Sequence, residues 1–323
     1  MKKLFFTAIS VLIIQTNVFS HEIVKEQTSL TYDFSFAELA VKYLETGNPE
    51  YLHEISKLDA TTHIFNHALN FGGYDGSKLE LITDLLSPID KQREKLPQFK
   101  KNLNFAKENL EKTGVVEKIT LQFLPKDFTF SGSLFFTFGY DIGVAYGKNS
   151  SLNLAHPIFL DNMNEMKYWA IHELHHAGFI MLKDGYMPSL GITTYKEVAH
   201  IIEYLTHLEG MGTYAPLGIR EQENAMNNHE DYISIQNLEL MKEFEKEYFD
   251  IYFHFKNNPD NLITGGDWGK IGTLSAGKRL WYTVGTHMAK TIDKKLGRDK
   301  LISLISEPSE NFIATYLELK NSE

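Results

Sequence analysis

The five residues His172-Glu173-Leu174-His175-His176 lie inside an almost wholly apolar run, Met166 to Leu182. A helix that is hydrophobic all round is buried. Such a helix has little reason to hold three histidines and a glutamate unless those groups are paired. The run is therefore expected to be a central helix whose polar groups meet partners supplied by the rest of the chain. On a helix His172 and His176 stand one turn apart on the same face, so both imidazoles can reach one metal ion. Glu173 lies about 100° round the helix, close enough to polarise a water at that ion. Two nitrogen ligands and an adjacent carboxylate suit metal-assisted hydrolysis, because zinc lowers the pKa of a water and the carboxylate takes its proton.

A catalytic zinc site needs a third protein ligand. The pattern H-E-x-x-H-x-x-G-x-x-H fails here, because Phe179 stands where its glycine should be and Leu182 where its third histidine should be. The alternative is a glutamate from a following helix, and Glu197, Glu203 and Glu209 fall in the helical stretch from Thr193 to about Met211. Val198, Ile202, Leu205 and Glu209 follow i, i+4, i+7, i+11 spacing, which puts Glu209 on an aliphatic face. A carboxylate there must find a cation or shift its pKa upward, and zinc supplies the cation. Gly210 and Gly212 would let the backbone come close to the metal helix. Glu203 instead shares a face with His200 and His207, and Glu197 falls in the first turn, where acids are commonly solvated. Glu209 is the expected third ligand.

H-E-x-x-H followed by Glu-Gly-x-Gly on a later helix resembles the gluzincin group of zinc metallopeptidases. The strings His-Glu-Leu-His-His-Ala-Gly-Phe, His-Leu-Glu-Gly-Met-Gly-Thr-Tyr and Arg-Leu-Trp-Tyr-Thr-Val-Gly-Thr-His-Met-Ala-Lys resemble a bacterial family of zinc-dependent proteases whose biology is unassigned. The similarity covers about residues 152–305. It implies His172, His176 and Glu209 as ligands of one zinc ion and Glu173 as general base. Gly212 departs from the alanine that many gluzincins carry at that position. The Gly-x-Met-Glu-Asn signature of zinc aminopeptidases is missing, so N-terminal trimming loses support.

Residues 1–20 read as a secretory leader: Lys2 and Lys3, an apolar core from Leu4 to Ile14, then Val18 and Ser20 before the expected cut. That core is too short to span a bilayer. The expected product is periplasmic or secreted. The chain has no cysteine, hence no disulfide and no thiol that could plug the zinc. Net charge is −10, and losing Lys2 and Lys3 makes it −12. Such an acidic chain without a basic cluster is a poor nucleic-acid binder. No later run resembles a transmembrane helix, so no stable membrane insertion is expected.

The expected fold is α+β and predominantly helical: residues 21–115 as an N-terminal helical region, then 116–323 as a zincin-like catalytic region. Helices from Phe34 to Lys112 break near Gly47-Asn48-Pro49, Gly72-Gly73 and Ser87-Pro88. The stretch Lys91 to Lys112 reads as one long exposed helix despite Pro97. Ile119–Leu124, Ser133–Gly139 and Ser151–Ala155 have strand composition. The last of these, nearest the metal helix, is the candidate edge for pairing with an extended peptide. After the metal helix and its partner helix come a long helix from His229 to Phe255 and a helical pair from about Lys270 to Lys320. Tyr248, Phe249, Tyr252, Phe253 and Phe255 read as core.

The expected reaction is peptide-bond hydrolysis on a peptide or protein substrate. Its oxyanion needs a donor besides the metal, for which Tyr282, His287 and Tyr214 are candidates and Tyr282 the choice. His63 and His67 read as an amphipathic surface pair, His200, Glu203 and His207 as a polar face, and His175 as packed or supporting. Competing readings are a zinc amidase acting on cell-wall or other non-protein substrates and a non-catalytic exported binding protein stabilised by zinc. A structural zinc usually has four protein ligands, and three well-placed ones argue for an open position.

Overall fold

Helical and strand periods along the chain resolve into a predominantly helical α+β fold around one four-stranded sheet. This computed structural model describes residues 30–189 and 191–322, so the leader-like segment 1–20 lies outside the described residues. The chain begins with β1 (Thr31–Asp33), followed by α1 (Ser35–Thr46), α2 (Glu50–Ile55), α3 (Asp59–Phe71), α4 (Lys78–Leu85) and α5 (Ile89–Phe105). The breaks fall where glycine and proline predict them; Gly47, at φ +72°, closes α1 by donating its N–H to the Tyr43 carbonyl. α5 runs on through a π-helical turn, Ala106–Glu111, and its exposed positions are mostly charged. Phe99, Leu103, Ala106 and Leu110 form a buried stripe along it.

The expected strand at Ile119–Leu124 is not one. Gly114, at φ +60°, starts α6 (Val115–Thr120), which passes into a 3-10 turn, Leu121–Phe123. β-branched composition suggested a strand, but Val116, Thr120 and Phe123 recur at helical spacing and are buried together. Thr120 satisfies its hydroxyl within the helix by donating to the Val116 carbonyl at 2.8 Å.

β2 (Ser133–Thr137), β3 (Gly143–Tyr146) and β4 (Asn149–Asn153) complete the sheet in the order β1-β2-β4-β3. β1 and β4 pair parallel with β2, whereas β3 pairs antiparallel with β4 through Gly143↔Leu152 and Tyr146↔Asn149. The two-residue connection Gly147-Lys148 makes a tight hairpin, and Gly147 takes the positive φ of +59° that such a turn needs. β4 is therefore an inner strand. The edge expected at Ser151–Ala155 belongs instead to β3, which is too short and too glycine-rich at its start to announce itself.

α7 (Pro157–Asp161), α8 (Glu165–Leu182), α9 (Tyr195–Tyr214), α10 (Leu217–Gln222), α11 (Glu230–Gln236) and α12 (Leu238–Lys256) follow. α13 (Asp267–Ser275), α14 (Leu280–Leu296), α15 (Arg298–Ser303) and α16 (Glu310–Asn321) close the fold. The long helix expected from His229 to Phe255 is cut at Asn237, whose Oδ1 accepts from the Leu240 N–H and caps α12. The expected terminal pair is four helices. One continuous apolar core runs from Phe34 to Tyr316, so residues 30–115 share it with the sheet and with α8, α9 and α14.

α8 is buried on all sides, as its all-round apolarity requires. Its first turn is pinned by a buried bidentate ion pair, with Arg220 Nη1 and Nη2 at 3.0 and 2.6 Å from the two Glu165 oxygens. The Arg220 guanidinium is sandwiched between Tyr168 and Tyr232. α9 starts with a capping box between Thr194 and Glu197, which accounts for Glu197. α9 and α14 cross at two glycines. A Cβ on Gly210 would lie 2.5 Å from the Gly285 carbonyl carbon, and one on Gly285 would lie 2.6 Å from the Thr206 carbonyl oxygen. Gly210 thus serves the α9–α14 crossing rather than the approach to α8. Because the obstructing atoms are backbone, Gly285→Ala should lower stability by roughly 1–3 kcal/mol. A urea midpoint equal to that of the parent protein would show that the crossing relaxes freely.

Candidate metal centre

α8 and α9 bring three side chains to one point. His176 Nε2 lies 3.0 Å and His172 Nε2 3.3 Å from the same Glu209 oxygen, Oε2. The two imidazole rings meet edge-on, with centroids 4.2 Å apart. Among the described residues these three are the one group of histidine and acid side chains whose ligand atoms all lie within 4.8 Å of one another. Gly212, one turn beyond Glu209 on α9, makes the close approach possible: a Cβ there would fall 2.5 Å from His176 Cε1 and 3.2 Å from His172 Cε1.

Burial sets the charge states. It pushes the His172 imidazole down to about 4, helped by His176 beside it. Burial alone would raise the Glu209 carboxyl, but His176 and His172 outweigh it and hold the group below the usual carboxylate range. Glu173 moves the other way: burial, then Glu209, then Asp141 lift its carboxyl well above the ordinary value. A neutral imidazole and an ionised carboxylate are the forms that bind a metal.

The donor set fits zinc. Ligand bonds of roughly 2.0–2.1 Å at tetrahedral angles put neighbouring ligand atoms about 3.3 Å apart, close to the two separations here. Nitrogen and oxygen donors without thiolate are compatible with zinc.

These residues line a cleft at α8 of about 320 Å³, together with Tyr282 and the β3 segment Gly143–Ala145. The Tyr282 ring is nearly parallel to that of His172, at 13°, with centroids 6.2 Å apart. The other oxyanion candidates are elsewhere. Tyr214 donates to Asp293 at 2.6 Å, and His287 packs edge-on against Tyr316. Glu203 accepts from Tyr252 and Lys256 at 2.8 and 2.6 Å, His200 meets the Tyr186 hydroxyl, and His207 stacks on Phe312, so these three do not converge. His63 and His67 are not a surface pair. His63 is buried against β3, where its Nε2 lies 3.2 Å from the Val144 carbonyl oxygen, and His67 lines the cleft. His175 is fully buried beside Phe179, and burial lowers its imidazole to about 3.

Comparison with protein families matches residues 45–323 to DUF5700, described as "putative zinc dependent peptidase". The chain belongs to the DUF5700 family. No curated protein and no solved structure matches it. The match covers the metal-centre helices and most of the N-terminal helices, and it agrees with the resemblance carried by the three sequence strings. No described helix is long and apolar enough to cross a membrane.

Three cleft residues of this DUF5700 protein escaped the sequence: His67, Asp141 and Arg279. Arg279 stands in the same string as Tyr282, so the string itself was the available signal. The glycine at 212, where many gluzincins have alanine, has a local cause in the clearance to His176. Gly212→Ala should therefore displace that imidazole and weaken zinc binding by about 10–100-fold. Zinc competition against a chromophoric chelator measures this, and affinity equal to wild type would remove Gly212 from any role in shaping the site.

Proposed function

We propose that this protein is an exported zinc-dependent peptidase in which His172, His176 and Glu209 hold the ion. The observation that carries the reading is the convergence of two imidazoles and one carboxylate beside a second, buried carboxylate at the wall of a cleft. Three protein ligands rather than four leave a coordination position open, the pattern of catalytic zinc. When bound, zinc would polarise the substrate carbonyl and acidify water at the site.

The remaining steps belong to the chain's own side chains. Glu173 takes the proton of the attacking water and delivers it to the leaving amine. Its burial favours this exchange, because a carboxyl raised above its ordinary range accepts a proton more readily than a solvated one. Tyr282 remains a protonated donor, since burial and the nearby carboxylates raise its phenol, and its O–H serves the developing oxyanion.

The substrate main chain runs along β3. The Asn153 N–H donates to the Ile142 carbonyl at 2.8 Å, so by antiparallel alternation Gly143 and Ala145 turn their N–H and C=O groups away from β4. Pairing with those groups holds an extended peptide without demanding a particular sequence. Glu173 packs directly against Gly143, where a Cβ would come within 2.7 Å of Glu173 Cγ. The absent side chain keeps the base close to where such a peptide would lie.

Glu173→Gln should keep one zinc per chain and lose peptide hydrolysis by at least about 10²–10⁴-fold, whereas Glu209→Ala should lose zinc. Metal analysis and cleavage of a peptide mixture separate the two effects; undiminished cleavage by zinc-loaded Glu173→Gln would sink the assigned mechanism. Export is checked independently. N-terminal sequencing of protein recovered outside the cytoplasm should begin at His21, and an intact Met1 end there would remove the leader from the proposal.

A further inference from the structure

Arg279 stands at the cleft wall with four of its five N–H donors uncommitted. Its Nε donates to both oxygens of Asp231, at 2.9 and 3.1 Å. The guanidinium carbon lies 3.6 Å from the centroid of the Tyr282 ring. Among the described residues no protein acceptor meets Nη1 or Nη2. The side chain remains 26% exposed, so those donors are open to a ligand from solvent.

A structural arginine normally presents its fork to the carboxylate that it pairs with. Here Asp231 takes only the Nε end, which fixes the plane of the guanidinium and leaves the other two nitrogens free. Arg279 is also the one lysine or arginine among the described residues that line the cleft, where Glu173, Glu209 and Asp141 are the acids. Even beside a zinc ion, it remains the fixed cation of the protein wall. A rigid fork of N–H donors matches a carboxylate in geometry and charge, and Arg keeps that charge at any working pH. Stacking on Tyr282 ties the fork to the side chain that also stacks on His172.

We infer that Arg279 anchors a substrate carboxylate, so that preferred substrates carry an anionic group close to the scissile bond. That carboxylate is either the free C-terminus of a peptide or an acidic side chain. The inference rests on the peptidase reading for the identity of the ligand as a substrate; the binding itself does not require hydrolysis.

The test uses zinc-loaded Glu173→Gln protein, which holds peptides without cleaving them, and calorimetric binding of three blocked tetrapeptide sets. One set has a free C-terminal carboxylate, one a C-terminal amide, and one a C-terminal amide with a single glutamate placed at each position in turn. Charge-assisted hydrogen bonds predict that a carboxylate-bearing set binds about 10–100-fold tighter than the neutral amide. Preference for the first set identifies the chain terminus, and preference for the third identifies an acidic side chain. Adding Arg279→Gln should abolish the preference with zinc content unchanged. Should that variant fail to fold, Arg279→Lys keeps a cation opposite Asp231 and should still lose most of the preference with the fork. Equal binding of all three sets overturns the inference, and so does a preference that survives either Arg279 variant in folded protein. The unmutated enzyme is assayed on the same peptides. If it cleaves none, the peptidase reading fails, while the binding comparison still decides the role of Arg279.

Discussion

The structure depends on a helix that is buried on every face and nevertheless carries His172, Glu173, His175 and His176. Unpaired polar groups at such depth are costly; a partner from elsewhere relieves His172 and His176, whereas both ring nitrogens of His175 lack a hydrogen-bond partner among the described residues. Glu209 is the partner that matters most, because one of its oxygens meets both imidazoles. The helix packing follows from that requirement. Gly212 lets α9 come against the histidines, and Gly210 with Gly285 lets α14 close behind α9. With α14 so near, Arg279 and Tyr282 at its start reach the same cleft.

Glu173 is the exception among these groups. It gains no ligand partner from α9; it lies against Gly143 at the open edge of the sheet, with two other carboxylates near enough to raise its proton affinity. The same burial thus has opposite consequences for two acids one helix apart. Glu209 has imidazoles to offset desolvation and stays ionised, whereas Glu173 has only like charges and holds its proton more tightly. Two acids pushed in opposite directions suit the division into ligand and proton carrier that we propose.

What the sequence disclosed was whatever depends on spacing within one helix. The i, i+4 imidazoles and Glu209 on its aliphatic stripe are local regularities, and the structure brings all three together. Composition without period misled at residues 119–124, where β-branched residues sit on a helix whose buried positions recur every third or fourth residue. Sheet order was hidden because pairing is non-local: nothing in Ser150 or Ser151 reveals that β3 folds back to cover the edge of β4. Arg279 was hidden for the same reason, since its orientation is set by Asp231, 48 residues away along the chain.

The N-terminal helices illustrate how far the cleft depends on distant sequence. β1 supplies a strand to the sheet, and His63 on α3 reaches the Val144 carbonyl of the edge strand at 3.2 Å. One turn on, His67 joins the Tyr140 hydroxyl at 2.8 Å, just before Asp141 and β3. α3 therefore braces the strand and the turn that border Glu173, while His67 and Phe71 form part of the cleft wall. The segment thus shares the core and borders the cleft through β3. Separating it would take α3 from β3 and leave that strand held by a four-residue pairing with β4 and by α8 alone, a weaker hold on its register.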